Sequence, residues 1–202
     1  MNDTRVTRRE VNGVIKDLRQ KLFGAEGYKW LLALKRFLRK ENPWVEFAIW
    51  RTIHLGSFKT VQDLRQALLD ASCRIGDWAN DLLGQSAFKL VAEETDADLV
   101  VVSVGELGFK DGATRKEIYE RAIQLGLELC PPEIGPQLRL QYKDQPLGEW
   151  LLIAMEPIAD SDGCLDVFDV GHDGDGLWLS SGNGLSDSFW DADDRWVFLR
   201  RK

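Results

Sequence analysis

Histidine, methionine and cysteine are scarce in this chain of 202 residues, which holds two His, two Met and three Cys. His54 and His172 stand alone, with no His–x–His or Cys–x–x–Cys spacing beside them, so no zinc ligand set can be read. Cys73, Cys130 and Cys164 are odd in number and far apart, unlike the dense, even framework of a small secreted domain. They read as buried or idle thiols. No apolar run approaches the roughly 20 residues that span a bilayer, and the polar start MNDTRVTRRE lacks the apolar core of a signal peptide. The expected address is the cytoplasm, with no membrane partner. There is no G-x-S-x-G elbow and no Walker A loop, and Gly105-x-x-Gly108 lacks the closing glycine of a dinucleotide fingerprint. No cofactor, no metal and no catalytic residue is expected.

A second absence is local. Residues 156–194 carry Glu156 and ten aspartates, yet no Lys or Arg, in a chain that is 29% charged with net charge −7. The first forty residues are the reverse, with eleven Lys and Arg against Asp3, Glu10, Asp17 and Glu26. Such asymmetry suits a nucleic-acid arm or the pairing of two halves. The N-terminal bases are interleaved with apolar residues at helical spacing, which favours a solvated helix face.

What is present is an ordinary core composition, 44% apolar, enough for one large domain or two small ones. Residues 5–22 read as an amphipathic helix with Val11, Val14, Ile15, Leu18 and Leu22 on one face. A second helix is expected at 28–40, stopped by Asn42-Pro43. The aromatic and β-branched run 44–58 reads as a strand or extended arm. Thr60 opens a further helical stretch to Gly84, with a break at Cys73-Arg74. The acidic segment 92–98 is the expected linker, followed by a buried strand at 99–104. Thr114-x-x-Glu117 is a capping box that opens a helix ended by Pro131-Pro132. Strands are then expected at QLRLQY (137–142), EWLLIAMEPI (149–158), VFDVG, GLWLSS and RWVFLRR, separated by Asp/Gly/Ser/Asn turns. The fold class expected is α+β: a helical N-terminal region, 1–95, and a C-terminal α+β domain, 96–202, with short, mostly antiparallel strands.

The acidic tail holds motifs that could carry chemistry. Asp160-Ser-Asp162-Gly163 and Asp173-Gly-Asp175-Gly176 look like pieces of a calcium loop, but neither register supplies the acid at position 12. Aspartates bonding their own turn backbone are the simpler reading. Asp191, Asp193 and Asp194 lie near Trp190 and Trp196, as in a sugar-hydrolysing site. Acid–base work needs a carboxyl in a pocket, however, and these sit in a polar turn.

The window 157–194 is rich in Asp, Gly and Ser and holds no Glu, Gln, Lys, Met, Arg or Thr. Turn chemistry explains the first half of that statement better than the second. Adenine mutagenesis of pyrimidine-ended codons, starting from Asn, yields Asp, Ser, Gly, His, Tyr, Cys and Ala, and never Glu, Gln, Lys, Met or Trp. The polar residues fit that set, and the tryptophans would be fixed framework.

The stretch from about 98 to 202, ending GLWL…FW…DRWVFLRRK, resembles an uncharacterised family of proteins common in uncultivated bacteria. Its most recognisable segment is KDGATRKEIYERAIQLGLELCPPEIGPQLRLQYKDQPLGEWLLIAMEPI. The steady centre and polar tail resemble the variable proteins of diversity-generating retroelements. That resemblance implies a C-type lectin-like fold displaying diversified residues. The lectin sugar signatures are not matched, since Glu156-Pro157-Ile158 and Trp190-Asp191-Ala192 stand where they would.

The expected function is a non-catalytic binding module. Trp178, Trp190, Trp196 and Phe198 would pack beneath a ligand-binding surface of His172, Asp173, Asp175, Ser180, Ser181, Asn183, Ser186, Asp187, Ser188, Asp193 and Asp194. Short polar side chains adapt to many partners, as paratope loops do, so a protein or other macromolecule is the expected ligand. A nucleic-acid-associated regulator using the basic N-terminal helices is the alternative, disfavoured by the acidic tail; a small hydrolase ranks third. Diversification makes a prediction that turn chemistry does not. Ser180, Ser181, Ser186 and Ser188 should use codons ending in C or T, beside a near-copy of the tail's DNA and a reverse transcriptase gene. Sequencing the surrounding DNA checks this; purine-ended codons and no copy would end the idea.

Overall fold

A computed structural model describes residues 6–39 and 46–201. The chain divides into two compact units, 1–46 and 47–202. The first contains α1 (Arg8–Leu22) and α2 (Gly27–Leu38). Thr7 and Glu10 form a capping box at the start of α1, satisfying amide groups that have no partner within the helix. Val11, Val14 and Ile15 nevertheless stay exposed, and α1 buries none of its residues. Among the described residues no helix is long and apolar enough to cross a membrane.

The second unit is α+β. In chain order it runs β1 (Arg51–Leu55), α3 (Val61–Asp70), β2 (Arg74–Ile75), α4 (Asp77–Gly84), β3 (Thr95–Ser103) and β4 (Ala113–Thr114). Then follow α5 (Arg115–Gln124), β5 (Leu127–Glu128), α6 (Ile134–Gln141), β6 (Trp150–Ile153), β7 (Ile158–Ala159), β8 (Leu165–Asp173), β9 (Gly176–Asn183), β10 (Phe189–Trp190) and β11 (Arg195–Arg200). One sheet has the order β1-β3-β11-β6-β8-β9-β2, with β5 beside β11 and β7 beside β8; β10 pairs with β4 separately. The pairings are antiparallel except β11–β6 and β2–β9.

The expected boundary at 95/96 does not survive. β1 pairs with β3 from Arg51↔Leu99 to Leu55↔Thr95, so residues 47–95 belong to the same sheet as the C-terminal strands. The expected linker at 92–98 is in part the start of β3. Its acids alternate with Ala97 and Leu99 at the period of a strand, and Asp98 and Asp96 meet Thr52 and His54 across the pair at 2.6 and 3.0 Å. Most strands are short, as expected, at two to six residues; β3 and β8 reach nine and β9 eight.

The expected strand at 137–142 is instead the end of α6. Every residue from Ile134 to Arg139 is buried, so no polar face marks the helical period. Pro136 lies in the first turn, where a missing N–H costs nothing. The polar side chains of α6 do backbone work. Glu133, at the N-cap position, makes no capping bond and instead accepts from Gly56 N at 3.0 Å and Val91 N at 2.6 Å. Gln141 exchanges two hydrogen bonds with the His54 backbone, closing the free edge of β1. Arg139, fully buried, donates to Gly171 O at 3.1 Å and to Tyr142 O and the Gln145 side chain. That fixes the loop leading into β6 against β8.

Thr114 and Glu117 do form a capping box, on α5. Of the expected framework residues, Trp196 and Phe198 are fully buried and both meet Tyr119 of α5 edge-on, at 5.5 and 6.1 Å. Trp178 and Trp190 are only half-buried. The Trp178 ring lies under Arg74 at 5.3 Å and donates to Asp173 at 2.8 Å. Trp196→Ala should therefore cost about 3–5 kcal/mol, and Trp178→Ala only about 1–2 kcal/mol. Denaturant melts of the two variants check the difference.

Candidate functional site

Strand β8 has two different faces. Phe168 and Val170 point toward the helices: the Phe168 ring stands edge-on to Phe88, and Gly135 of α6 leaves no room for a Cβ beside it. Residues at the other parity, Asp169 and Gly171, belong to the opposite face of the sheet, with Leu152 and Trp150 of β6 beside them in register. That face opens into a cavity of about 620 Å³, lined by Leu147, Gly148, Glu149, Trp150, Leu152, Asp169, Gly182, Trp190, Asp193, Asp194 and Arg195. The size lies within the range of small-ligand pockets.

Two glycines shape the cavity by lacking side chains. A Cβ at Gly171 would sit 2.3 Å from the Trp150 ring, so that indole lies directly on the strand, 44% exposed. A Cβ at Gly182 would stand 3.1 Å from Leu152 and 3.3 Å from Trp190. The second tryptophan is held from behind, edge-on to buried Trp196 with centroids 5.2 Å apart. Its strand, β10, pairs with β4, where Gly112 at φ +86° takes a conformation that side chains resist and passes within 2.5 Å (as a would-be Cβ) of Trp190 O. The loop before it is tied down as well, by Arg115 N and Lys116 N donating to Ser188 O and Ser186 O.

The third wall comes from the loop that Arg139 anchors. Gln145 donates to Glu149 O and Val170 O, each at 3.1 Å, and Gly148 N donates to His172 O at 2.7 Å. Both Glu149 oxygens are then engaged. One oxygen takes Arg195 at 2.6 Å and the other takes the Tyr142 hydroxyl at 2.6 Å. Burial, together with this carboxylate, pushes the Tyr142 phenol well above its usual range.

Asp169 is the odd member. It is 8% exposed, and its Oδ1 has no hydrogen-bond partner. Desolvation, with the nearby Asp166 charge adding to it, raises its carboxyl to about 7. Asp194 is also raised, by burial first and by its acidic neighbours Asp191 and Asp193, against the hydrogen bond from Asp191 N. A buried carboxyl poised near neutrality marks working sites more often than structural ones.

Of the eleven residues expected to bind ligand, Asp193 and Asp194 line this cavity. The others are spread over the strands and turns. His172 Nδ1 contacts Gln145 O at 2.6 Å, and Ser181 donates to Asp166 at 3.2 Å. Asp173 and Asn183 accept from backbone two residues on, the Asx turns expected of such positions. Asp160 does the same for Asp162 N and Cys164 N. Ser180 stands near Gly76, 3.5 Å from its would-be Cβ, while Asp175, Ser186 and Asp187 are exposed and Ser188 is half-buried. Sequence reasoning missed Asp169, Glu149, Trp150 and Arg195. One signal was legible: an Asp inside the apolar run Val167-Phe168-Asp169-Val170. No protein-family model, no curated protein and no solved structure matches the chain.

The raised Asp169 carboxyl makes stability pH-dependent with a definite sign. The unfolded carboxyl ionises near 3.8 and the folded one near 7, so the folded state holds the extra proton between these values and stability falls as pH rises through that window. The span corresponds to about 4 kcal/mol at most. Asp169→Asn should thus be more stable than the parent above pH 7, by about 2–4 kcal/mol, with the advantage shrinking toward pH 4. Urea melts at pH 4, 6 and 8 check it.

Proposed function

We propose that this protein is a non-catalytic binding module and that its ligand, or one group of a larger ligand, enters the cavity on the open face of β6 and β8. The observation that carries the reading is Asp169, a buried carboxyl whose Oδ1 has no hydrogen-bond partner, in a cavity that Trp150 and Trp190 also line. Leaving a buried carboxyl without partners costs stability, and a ligand donor meeting its Oδ2, on the Gly182 side of the cavity, would offset that cost. The apolar walls with a few polar groups are the usual build of a ligand pocket. The carboxylates repel phosphate, which weighs against nucleic acid at this site.

The resemblance to retroelement variable proteins, with a lectin-like display domain in the cytoplasm, is part of the same proposal. Asp169, Gly182, Asp193 and Asp194 all fall within the Asp/Gly/Ser-rich window and line the cavity. Variation there would change the ligand while Trp150 and Trp190 stayed as walls.

The eight tryptophans supply natural reporters. In NMR titrations with a fragment library, hits should move the Trp150 and Trp190 indole signals together. Gly182→Val, which fills the floor, should abolish them. Hits that cluster elsewhere, or that persist in Gly182→Val, would show that this cavity is not the binding site.

A further inference from the structure

The cavity holds more negative charge than its own base balances. Arg195 is the only Lys or Arg among the lining residues, and it is committed to Glu149 at 2.6 Å. Asp169, Asp193 and Asp194 line the same space without a basic partner there. Asp194 gives one oxygen to Asp191 N at 2.7 Å. Asp169 is 8% exposed; its Oδ1 is enclosed without a partner, and its Oδ2 lies on the side of Gly182, which lines the cavity.

We propose that the cavity takes an organic cation, a primary ammonium or guanidinium group on a flat or aliphatic body, with the charged group on Asp169 and the body against Trp150. The inference rests on the reading of the cavity as the ligand site and names what fills it. Above pH 7, where Asp169 is ionised, a hydroxyl donor would satisfy one lone pair and leave the charge uncompensated. A cation supplies the donor and the charge together, and such charge-assisted bonds are about twice as strong as neutral ones. The exposed Trp150 face adds attraction for a cation within about 6 Å of the ring. Anions meet three carboxylates. A metal ion needs converging ligands, and among the described residues no group of three His, Cys, Asp or Glu side chains could hold one.

The test titrates the whole chain with tyramine, agmatine and spermidine, and with 4-ethylphenol and methyl β-glucoside as uncharged comparisons. Indole NMR signals of Trp150 and Trp190 give the readout. At least one cation should shift both signals, and 4-ethylphenol should bind about tenfold or more weakly than tyramine. Asp169→Asn should weaken the cations by a similar factor and leave 4-ethylphenol unchanged. Asp193→Asn, at an exposed residue of the lining, should weaken them less. Equal binding of tyramine and 4-ethylphenol, or cation binding undiminished in Asp169→Asn, overturns the cation while the cavity remains a binding site. Shifts from the glycoside alone do the same. No shift from any of the three cations at millimolar concentration also overturns it, and the fragment titration then reports separately on whether the cavity binds at all.

Discussion

The two-residue period of β8 is the constraint on which the site depends. Phe168 and Val170 are fully buried, and Asp169 and Gly171 belong to the opposite face with Trp150 and Leu152. A slip of one residue would exchange the faces. It would drive a carboxylate into the apolar core beneath α6 and lift a phenyl ring onto the open face. The register is therefore enforced twice, by the Phe168 ring seated against Gly135 and by the Trp150 ring seated on Gly171. Both seats are glycines, and neither admits a side chain.

The rest of the unit serves to hold that open face open. Helices cover one side of the sheet, and on the other α5 covers only the β11 end, through Tyr119 on Trp196 and Phe198. Arg139 reaches from the covered side to Gly171 O and the 142–145 loop, so packing under the sheet sets the wall above it. This buried cation is surrounded by carbonyls rather than by a carboxylate, and Asp169 is a buried carboxyl with no cation. Placing them as an ion pair would have relieved both. Their separation is a local cost in stability, which proteins accept at working sites, and it fits the proposal of a ligand site.

The helices with caps were legible in the sequence because their signals are local. Thr60, Thr114 and Glu117 mark starts that the structure keeps. So were β8, β9 and β11, whose alternation and flanking turns are strong. α6 was not, because a helix buried all round loses its period, and Leu138 and Leu140 then read as an alternating strand. The division of the chain was misplaced because β1 joins the sheet only through pairing with β3, more than forty residues away in sequence. The site was partly legible. Asp193 and Asp194 were singled out for their setting in an acidic tail, and they do line the cavity. Asp169, its centre, was hidden among strand residues, since burial without a partner is a property of three dimensions. The tail polar residues that looked like a binding surface turn out to include Asp173 and Asn183, which are occupied with their own turns.

The most direct test of the account is the titration of the Asp169 carboxyl itself, followed by carbon-13 NMR in the free protein with Asp169→Asn to assign the signal. A buried, unpartnered carboxyl in the proposed ligand cavity should titrate with a midpoint of about 7. A midpoint near the ordinary 3.8 would mean that the group is solvated or paired, and the cavity would lose the feature that marks it as a binding site.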